Sequence, residues 1–167
     1  IDILLVLIEF LGSAEVSVWT WAIADYEVEV FSGLMQRKEI RSARLVVDHS
    51  ADRRNRDLLN QWRALYGAES VKVCLNHSKI ARVTGGNFRF LVRGSMNLNF
   101  NPRFEQFDLT EGGADHDLVF RIEEELPVLL KIPYSRRIAE LYSQGSLPLA
   151  DGPRWADLFL DLHSRIR

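Results

Sequence analysis

Two hydrophobic periodicities alternate along the first half of this chain, and their alternation limits the fold more than any other feature of the sequence. Apolar residues recur at helical spacing over Ile3–Leu11 and stop at Gly12, and a run of β-branched and aromatic residues follows over Val16–Ile23. The same order continues with a helix over Tyr26–Lys38, a strand over Ala43–Val47, a helix over Ala51–Tyr66 and a strand over Val71–Leu75. Ser50 is predicted to cap the third helix and Gly67 to end it. This alternation predicts an α/β fold in which right-handed crossovers connect the strands of one sheet.

The pattern changes after Asn76, where the sequence predicts antiparallel strands and then helices. Two short apolar runs, Ile80–Val83 and Phe88–Val92, flank Thr84-Gly85-Gly86-Asn87, whose glycines favour a tight hairpin turn. The remaining predicted elements are a strand over Gln106–Leu109, a helix over Ala114–Leu130 that Pro127 kinks or splits, and helices over Tyr134–Tyr142 and Pro153–Ile166. We therefore expect a mixed β-sheet flanked by helices over residues 1–132, and a helical C-terminal tail over residues 133–167 that extends the same domain.

Composition and charge favour a single soluble domain and exclude several classes of protein. Of the 167 residues, 47% are apolar and 26% are charged, as in ordinary globular domains, which excludes a disordered or collagen-like chain. Cys74 is the only cysteine, so the chain has neither a disulfide framework nor a thiolate metal cluster. The apolar stretch Ile3–Leu11 is far shorter than the ~20 residues that span a bilayer, and it lacks the basic flank of a signal peptide. We expect a cytoplasmic protein that does not enter membranes.

Three short groups of polar residues carry the chemistry of this sequence: His77-Ser78-Lys79, Gly94-Ser95-Met96-Asn97 and Glu105. Each group lies where the chain leaves a predicted strand or hairpin, so all three can meet at one end of the sheet. In content and order they resemble the phospholipase D superfamily, whose motif is His-x-Lys, a strand, Gly-Ser-x-Asn and a later Glu. The resemblance covers residues 3–130 in the order of elements, and its specific part lies within residues 76–105.

The sequence is most similar to the small members of that superfamily that carry one motif per chain, which are nucleases and related phosphodiesterases. This resemblance implies a phospholipase-D-like fold and a homodimer in which two chains share one site near the two-fold axis. Because one motif supplies one histidine, His77 of each chain would take one of two opposite roles. The arrangement requires neither a cofactor nor a metal ion.

The residue types in these groups suit the cleavage of a phosphodiester. A histidine such as His77 can attack phosphorus and form a covalent phosphohistidine, and a second histidine can protonate the leaving oxygen, because imidazole titrates close to neutral pH. Lys79 places an ammonium beside the phosphate, and Ser95 and Asn97 can donate hydrogen bonds to its non-bridging oxygens. Glu105 can accept a hydrogen bond from the other imidazole nitrogen and so orient the ring.

The sequence departs from the superfamily at Thr84, which stands where most members have an Asp, five residues after the Lys. The spacing from His77 to Gly94 is also a few residues longer than the commonest version. The missing Asp raises an alternative function, a catalytically degenerate module that keeps the fold and binds nucleic acid or a protein partner. A further class is a structural or assembly protein built on the helical tail after Pro133.

Nucleic acid, either DNA or RNA, is the predicted substrate, and a lipid head group is the other phosphodiester considered. In a chain of net charge −2, the stretch from His77 to Arg103 contains no acidic residue and five cations: Lys79, Arg82, Arg89, Arg93 and Arg103. Such a zone suits several backbone phosphates, and the predicted nucleic-acid contacts are Arg82, Arg93 and Arg103. The zone is extended by Arg53, Arg54 and Arg56 if the start of their helix lies at the same edge of the sheet.

Three further groups of residues receive structural interpretations. Trp19 and Trp21 are expected in the core or at the dimer interface. Asp115-His116-Asp117 resembles the spacing of metal ligands, but acidic residues at a helix N-terminus more simply complement the helix dipole. Glu123-Glu124-Glu125 is expected to form a solvated helix face.

Overall fold

The computed structural model describes residues 1–99 and 105–126. These residues belong to the first of the two compact units into which the chain divides, Ile1–Leu130. The predicted C-terminal extension over residues 133–167, with its two helices, lies outside the described residues.

The described elements follow the predicted order of helices and strands. In chain order they are α1 (Asp2–Leu11), β1 (Ala14–Thr20), α2 (Asp25–Gln36), β2 (Ile40–Asp48), α3 (His49–Arg54), α4 (Arg56–Tyr66), β3 (Val71–Cys74), β4 (Ile80–Gly85), β5 (Phe88–Gly94), β6 (Phe107–Glu111) and α5 (Gly113–Glu125). A short 3-10 helix, Ala68–Ser70, precedes β3. The glycine signals act as predicted, since Gly12 adopts a left-handed conformation after α1 and Gly67 follows α4.

The six strands form one mixed sheet in the order β3-β2-β1-β4-β5-β6. β1, β2 and β3 are parallel and are joined by helical crossovers, whereas β4, β5 and β6 form an antiparallel meander that pairs with β1. β2 and β3 therefore lie on one side of β1, and β4, β5 and β6 lie on the other. This confirms the predicted mixed α/β architecture with a sheet flanked by helices.

One face of the sheet carries the apolar core, because alternate residues of each strand point to the same side. Val16 and Val18 on this face belong to the same buried cluster as Ile8 of α1, Phe31 of α2 and Trp62 of α4. The opposite face lies against α5, which ends at Glu125, two residues before Pro127. The helix was predicted to kink or split at Pro127, and α5 ends just before it. Leu126 is extended, because the residue before a proline is disfavoured in the helical region.

The helix predicted over Ala51–Tyr66 is two helices, α3 and α4, which meet at Asn55. Asn55 adopts a non-helical conformation, and its Nδ2 donates a hydrogen bond to the Ile23 carbonyl at 3.3 Å. The residue that caps α3 is Asp48 rather than Ser50, because the Asp48 carboxylate accepts a hydrogen bond from the Ser50 backbone N–H at 2.9 Å. The helix therefore begins directly at the end of β2.

The prediction of a solvated face at Glu123–Glu125 is wrong for Glu123, which is fully buried between α5 and the sheet. Its carboxylate accepts hydrogen bonds from Ser17 Oγ at 2.6 Å and from Trp19 Nε1 at 2.8 Å. Arg82 forms an ion pair with the same carboxylate, and Lys72 Nζ donates to the Glu123 backbone carbonyl. We call these five residues the Glu123 cluster. A buried carboxylate is tolerated here because charged and polar partners surround it.

A second buried carboxylate, Glu27 on α2, gives a prediction of pH-dependent stability. Glu27 is 1% exposed, and within the described part of the chain its Oε2 atom has no hydrogen-bond partner. Burial raises the pKa of Glu27 above its ordinary value, against the smaller lowering effect of a backbone hydrogen bond. The folded state therefore holds this proton more tightly than the unfolded chain, so its stabilising contribution is present at low pH and is lost as the pH rises between the two pKa values.

We expect the Glu27→Gln variant to be more stable than the wild type at pH 7, by about 1–3 kcal/mol, because the glutamine carries no charge to desolvate. The advantage should shrink towards pH 3, well below the ordinary glutamate pKa, where the wild-type carboxyl is protonated in both states. Urea unfolding at the two pH values measures this difference. Glu29→Gln, an exposed change on the same helix, serves as the control. An equal gain at both pH values would contradict the assignment to Glu27.

Candidate active site

One edge of the sheet collects the ends of β1, β2, β4 and β5 and the loops that carry the predicted site. The parallel strands β1 and β2 end there at Thr20 and Asp48, β4 begins there, and β5 ends there, since Trp19 pairs with Ile80 and Ile80 pairs with Arg93. The strand order reverses beside β1, because β2 and β3 are added on one side of it and β4 on the other. In open α/β sheets, ligands bind in the crevice at such a switch point. The convergence expected from the sequence is therefore present in the fold.

Asn76 anchors the loop that carries the predicted histidine. It is 6% exposed, and its Nδ2 donates hydrogen bonds to the backbone carbonyls of Val46 at 3.1 Å and Thr20 at 3.3 Å. Its Oδ1 accepts from the Ser78 N–H at 2.8 Å, and its own N–H donates to Asp48 Oδ2 at 3.2 Å. One buried amide thus ties the ends of β1 and β2 to the His77 loop. Sequence reasoning gave Asn76 no role, because its partners are distant backbone carbonyls.

Asp48 joins the cap of α3 to this loop. Its carboxylate accepts from Ser50 on one oxygen and from the Asn76 N–H on the other. Burial by itself would raise the pKa of Asp48, but the hydrogen bonds from Ser50 and Asn76 hold it below its ordinary value. The carboxylate therefore stays charged and fixes the start of α3 against the loop.

His77 and Lys79 lie side by side at this edge. His77 is exposed, and Lys79 Nζ is 3.0 Å from His77 Nδ1 and donates to the His77 carbonyl at 2.7 Å. Burial lowers the pKa of Lys79, while the nearby Glu105 carboxylate acts in the opposite direction. An exposed imidazole with an ammonium beside it can receive an anionic phosphorus centre.

Ser95, Asn97 and Glu105 complete the predicted group at the same edge. Ser95 Oγ donates to the Glu105 carboxylate and accepts from the Gln106 N–H at 3.2 Å. Asn97 Oδ1 accepts from the Trp21 N–H at 3.2 Å, which leaves the Nδ2 group as the end of this amide that can donate to a ligand. The contact of Glu105 with the imidazole stays a prediction.

Gly94 in the Gly-Ser-x-Asn group has a steric reason to be glycine. A Cβ atom at this position would lie 2.6 Å from the Gln106 carbonyl oxygen, closer than real Cβ contacts allow. The Gly94 N–H donates to the Lys79 carbonyl at 3.0 Å, and the Ser95 N–H donates to the Gln106 carbonyl at 3.1 Å. This close approach holds the Ser95 turn between the start of β4 and the start of β6, next to Lys79.

Trp21 and Arg54 also lie at this edge; Trp21 was not predicted in the site, and Arg54 was placed near it only on a condition. The Trp21 ring is 5.9 Å from the His77 ring, and Arg54 Cζ lies 4.5 Å from the centre of the Trp21 ring. Trp21 was expected in the core or at a dimer interface; its side chain is only partly buried, so it lies outside the core, and the interface stays a prediction. The arginines of this helix were expected to extend the positive zone if the helix starts at this edge. α3 does start there, at the end of β2, and Arg54 lies beside Trp21.

The predicted positive zone along β4 and β5 is largely neutralised by acidic residues of β6 and α5. Arg82 pairs with Glu123, and its side chain is 11% exposed. Arg89 pairs with Asp117 at 2.6 Å. Arg93 pairs with Asp108 at 3.0 Å and Asp115 at 2.7 Å. These pairings argue against Arg82 and Arg93 as free phosphate contacts, and Arg103 lies outside the described residues.

Thr84, the departure from the superfamily motif, lies at the opposite end of β4 from the site. It pairs with Glu15 and Arg89 next to the hairpin turn, and its Oγ1 is 3.4 Å from His116 Nε2. It lies five positions after Lys79 in the chain, which corresponds to about 16 Å along a strand. Thr84 therefore has no direct contact with the predicted catalytic groups.

A groove of about 530 Å³ lies beside α5 on the polar face of the sheet, away from His77. Its arginines are already paired, as Arg44 is with Glu124 at 2.5 Å and Arg89 with Asp117. Burial lowers the pKa of His116, which also lines this groove. The ionic groups of the groove thus neutralise one another, whereas the His77 edge carries exposed cations.

The Asp115-His116-Asp117 sequence does not assemble a metal site in the structure. Asp115 and Asp117 point to Arg93 and Arg89, and across residues 1–99 and 105–126 no three His, Cys, Asp or Glu side chains are grouped to hold a metal ion. Burial raises the pKa of Cys74 to about 11, so this thiol is not a ready nucleophile. Among the described helices, none has the length and apolar content needed to cross a bilayer.

Comparison with known proteins adds no family to this picture. No protein-family model matches the chain, and no curated protein matches it significantly.

Proposed function

We propose that this chain is a phosphodiesterase of the phospholipase D type that cleaves DNA or RNA without a metal ion, in a site shared by two copies. The observation that carries the proposal is the meeting of His77, Lys79, Ser95 and Asn97 at one sheet edge. These residues come from two loops separated by the β4–β5 hairpin. Three of the four side chains are positioned by hydrogen bonds to the neighbouring backbone or to Glu105.

The proposed reaction uses the groups at this edge in two steps. An imidazole nitrogen of His77 attacks phosphorus, the bond from phosphorus to the leaving oxygen breaks, and His77 of the partner subunit gives that oxygen a proton. Water then attacks phosphorus and gives its proton to the same partner group, the bond from phosphorus to the His77 nitrogen breaks, and the product phosphomonoester leaves with both histidines restored. Lys79, Ser95 and Asn97 stabilise the charge on the non-bridging oxygens throughout.

The alternative, a degenerate binding module, draws its support from Thr84 in place of the motif Asp. The position of Thr84 weakens that support, because the residue contacts His116 and lies at the hairpin end of β4. A carboxylate is therefore not missing from among the catalytic groups described above.

We expect Thr84→Asp, which restores the motif residue, to change the cleavage rate by less than about threefold, since about 16 Å of strand separates it from Lys79. The new carboxylate should instead raise the pKa of His116, whose Nε2 now faces the Thr84 hydroxyl. Cleavage assays and an NMR titration of His116 measure the two effects. A rise in cleavage of about a hundredfold or more would show that Thr84 limits catalysis.

The proposal is tested by incubating the purified protein in EDTA with single-stranded and double-stranded DNA and RNA. We expect cleavage to persist in EDTA, and light scattering to show a dimer. A folded dimer that cleaves none of these substrates would overturn the nuclease assignment and favour the binding module. An active monomer would overturn the shared site.

A further inference from the structure

An arginine stacks on a tryptophan directly beside His77, and neither residue is used by the chemistry proposed above. Arg54 Cζ lies 4.5 Å from the centre of the Trp21 ring, and the Trp21 ring lies 5.9 Å from that of His77. Trp21 directly follows β1, and Arg54 is the last residue of α3, which follows β2. The pair therefore joins two segments that are far apart in the sequence. We call these two side chains the Trp21–Arg54 pair.

Both members of the pair are held in place by groups outside it. The Trp21 backbone N–H donates to Asn97 Oδ1 at 3.2 Å, which ties the tryptophan to the Gly-Ser-x-Asn turn. Arg54 Nη2 donates to Ser50 Oγ at 3.1 Å, and Ser50 is in turn bonded to Asp48. The Trp21 backbone and the Arg54 guanidinium are therefore anchored before any ligand arrives, which lowers the entropic cost of binding one.

Arg54 differs from the arginines of β4 and β5 in its charge partners. Within the described part of the chain no carboxylate lies within ion-pair distance of Arg54, nor of its exposed neighbours Arg53 and Arg56, whereas Arg82, Arg89 and Arg93 are all paired. Arg53, Arg54 and Arg56 are thus available to a polyanion, and Arg54 lies beside Trp21 at the His77 edge.

We infer that the Trp21–Arg54 pair is a stacking subsite for one unpaired base next to the scissile phosphate, so that the substrate class is single-stranded nucleic acid. This inference rests on the proposed function, because it takes the position of the phosphate from His77. Aromatic rings and guanidinium planes stack unpaired bases without regard to sequence. A duplex cannot use such a platform, because its bases already stack on one another. Arg53 and Arg56 supply charge for the flanking phosphates.

The test measures binding separately from cleavage, in the His77→Ala background so that substrates stay intact. The probes are a fluorescein-labelled single-stranded oligonucleotide of about 16 nucleotides, of mixed sequence, and the same strand in a duplex. We expect Trp21→Ala to weaken binding of the single strand by about 5- to 100-fold and Trp21→Phe to retain most of the affinity. Binding of the duplex should change by less than about twofold, since its bases do not reach the ring.

Arg54→Ala should act on charge as well as on stacking. We expect it to weaken binding of the single strand and to reduce the slope of log affinity against log salt by about 0.7, whereas Trp21→Ala should leave that slope unchanged. Phe10→Ala is the matched control, because Phe10 is an exposed aromatic residue, 63% accessible, that contacts Phe88 beside the hairpin turn at the opposite edge. It should leave binding of both probes unchanged.

The outcomes separate this inference from the proposed function. Equal binding of the single strand by the Trp21→Ala and parent proteins overturns the subsite, even if the wild type cleaves in EDTA. If Trp21→Ala weakens binding of the single strand and of the duplex equally, the assignment to single-stranded substrates is overturned. A wild type that does not cleave, but whose single-strand binding depends on Trp21, upholds the subsite and overturns the nuclease. Absence of binding to either probe overturns both.

Discussion

Replacing His77 with alanine is expected to reduce phosphodiester cleavage by at least about 10⁴-fold, because one substitution removes two roles from a site shared by two chains. The nucleophile is lost in one copy and the general acid in the other. Binding of substrate should be retained, since Lys79, Ser95 and Asn97 remain. Single-turnover cleavage in EDTA, with the variant and the wild type purified side by side, measures the loss.

We expect this substitution to leave the stability of the fold unchanged. His77 is exposed, and its loop is held by the buried Asn76 amide, so the midpoint of urea unfolding should stay the same. His49→Ala is the matched control, because His49 is also exposed and follows a strand at the same edge. It should keep wild-type activity within about twofold. Equal activity of the His77→Ala protein would exclude His77 as the nucleophile.

A mixed dimer makes the same prediction sharper. When wild-type and His77→Ala chains are co-purified as a tagged heterodimer, each shared site holds one histidine instead of two. We expect such heterodimers to be nearly inactive, whereas two independent sites would leave half of the activity. Half-activity would therefore contradict a shared site, while leaving His77 as the catalytic residue within each chain.

The second large effect concerns stability, and it lies in the Glu123 cluster. Glu123→Ala is expected to destabilise the fold by about 3–5 kcal/mol, because it removes one partner of a buried ion pair and leaves Arg82 without its carboxylate in a buried setting. Ser17 and Trp19 lose their hydrogen-bond acceptor at the same time. Urea unfolding of the variant and the wild type gives the difference in free energy.

Two controls separate the lost ion pair from a general effect of changes on α5. Glu125→Gln alters an exposed neighbour on the same helix and should shift stability by less than about 0.5 kcal/mol. The double variant Glu123→Leu with Arg82→Met removes both charges and should recover much of the loss, since replacing both members of a buried pair with apolar groups is often neutral. A loss that is additive in the double variant would contradict the coupling.

Much of the fold was predictable because it depends on local periodicity. The strand β2 and the helix α2 were predicted close to their observed bounds, since a run of β-branched residues and an amphipathic repeat each identify one element. The break at Asn55 was missed, because the apolar repeat runs through it and the side-chain contact with the Ile23 carbonyl comes from a distant part of the sequence. Asp48 was missed as the cap because Ser50 offers an equally suitable side chain two residues later.

The site was predictable in part for a similar reason. His77, Lys79 and Ser95 follow predicted strand ends, so their convergence could be derived from the alternation of elements. The partners of the arginines could not, because the neutralising acids Asp108 and Asp117 come after the stretch in which the positive charge was counted. The sequence could not decide between the core and an exposed position for Trp21, because a tryptophan at the end of an apolar strand has the same local pattern in both.

What the sequence alone determined is the order of elements, the α/β class and the identity of the groups at the His77 edge, because these depend on side chains close together in the chain. Only the tertiary structure decided which charged side chains are neutralised by ion pairs and which remain free to bind a ligand. Glu123, predicted in solvent, is buried against Arg82, and Arg54 lies unpaired on Trp21 beside His77. The physical reason is that the energy of a charge depends on its partners and on burial, and the sheet brings those partners from residues far apart in sequence.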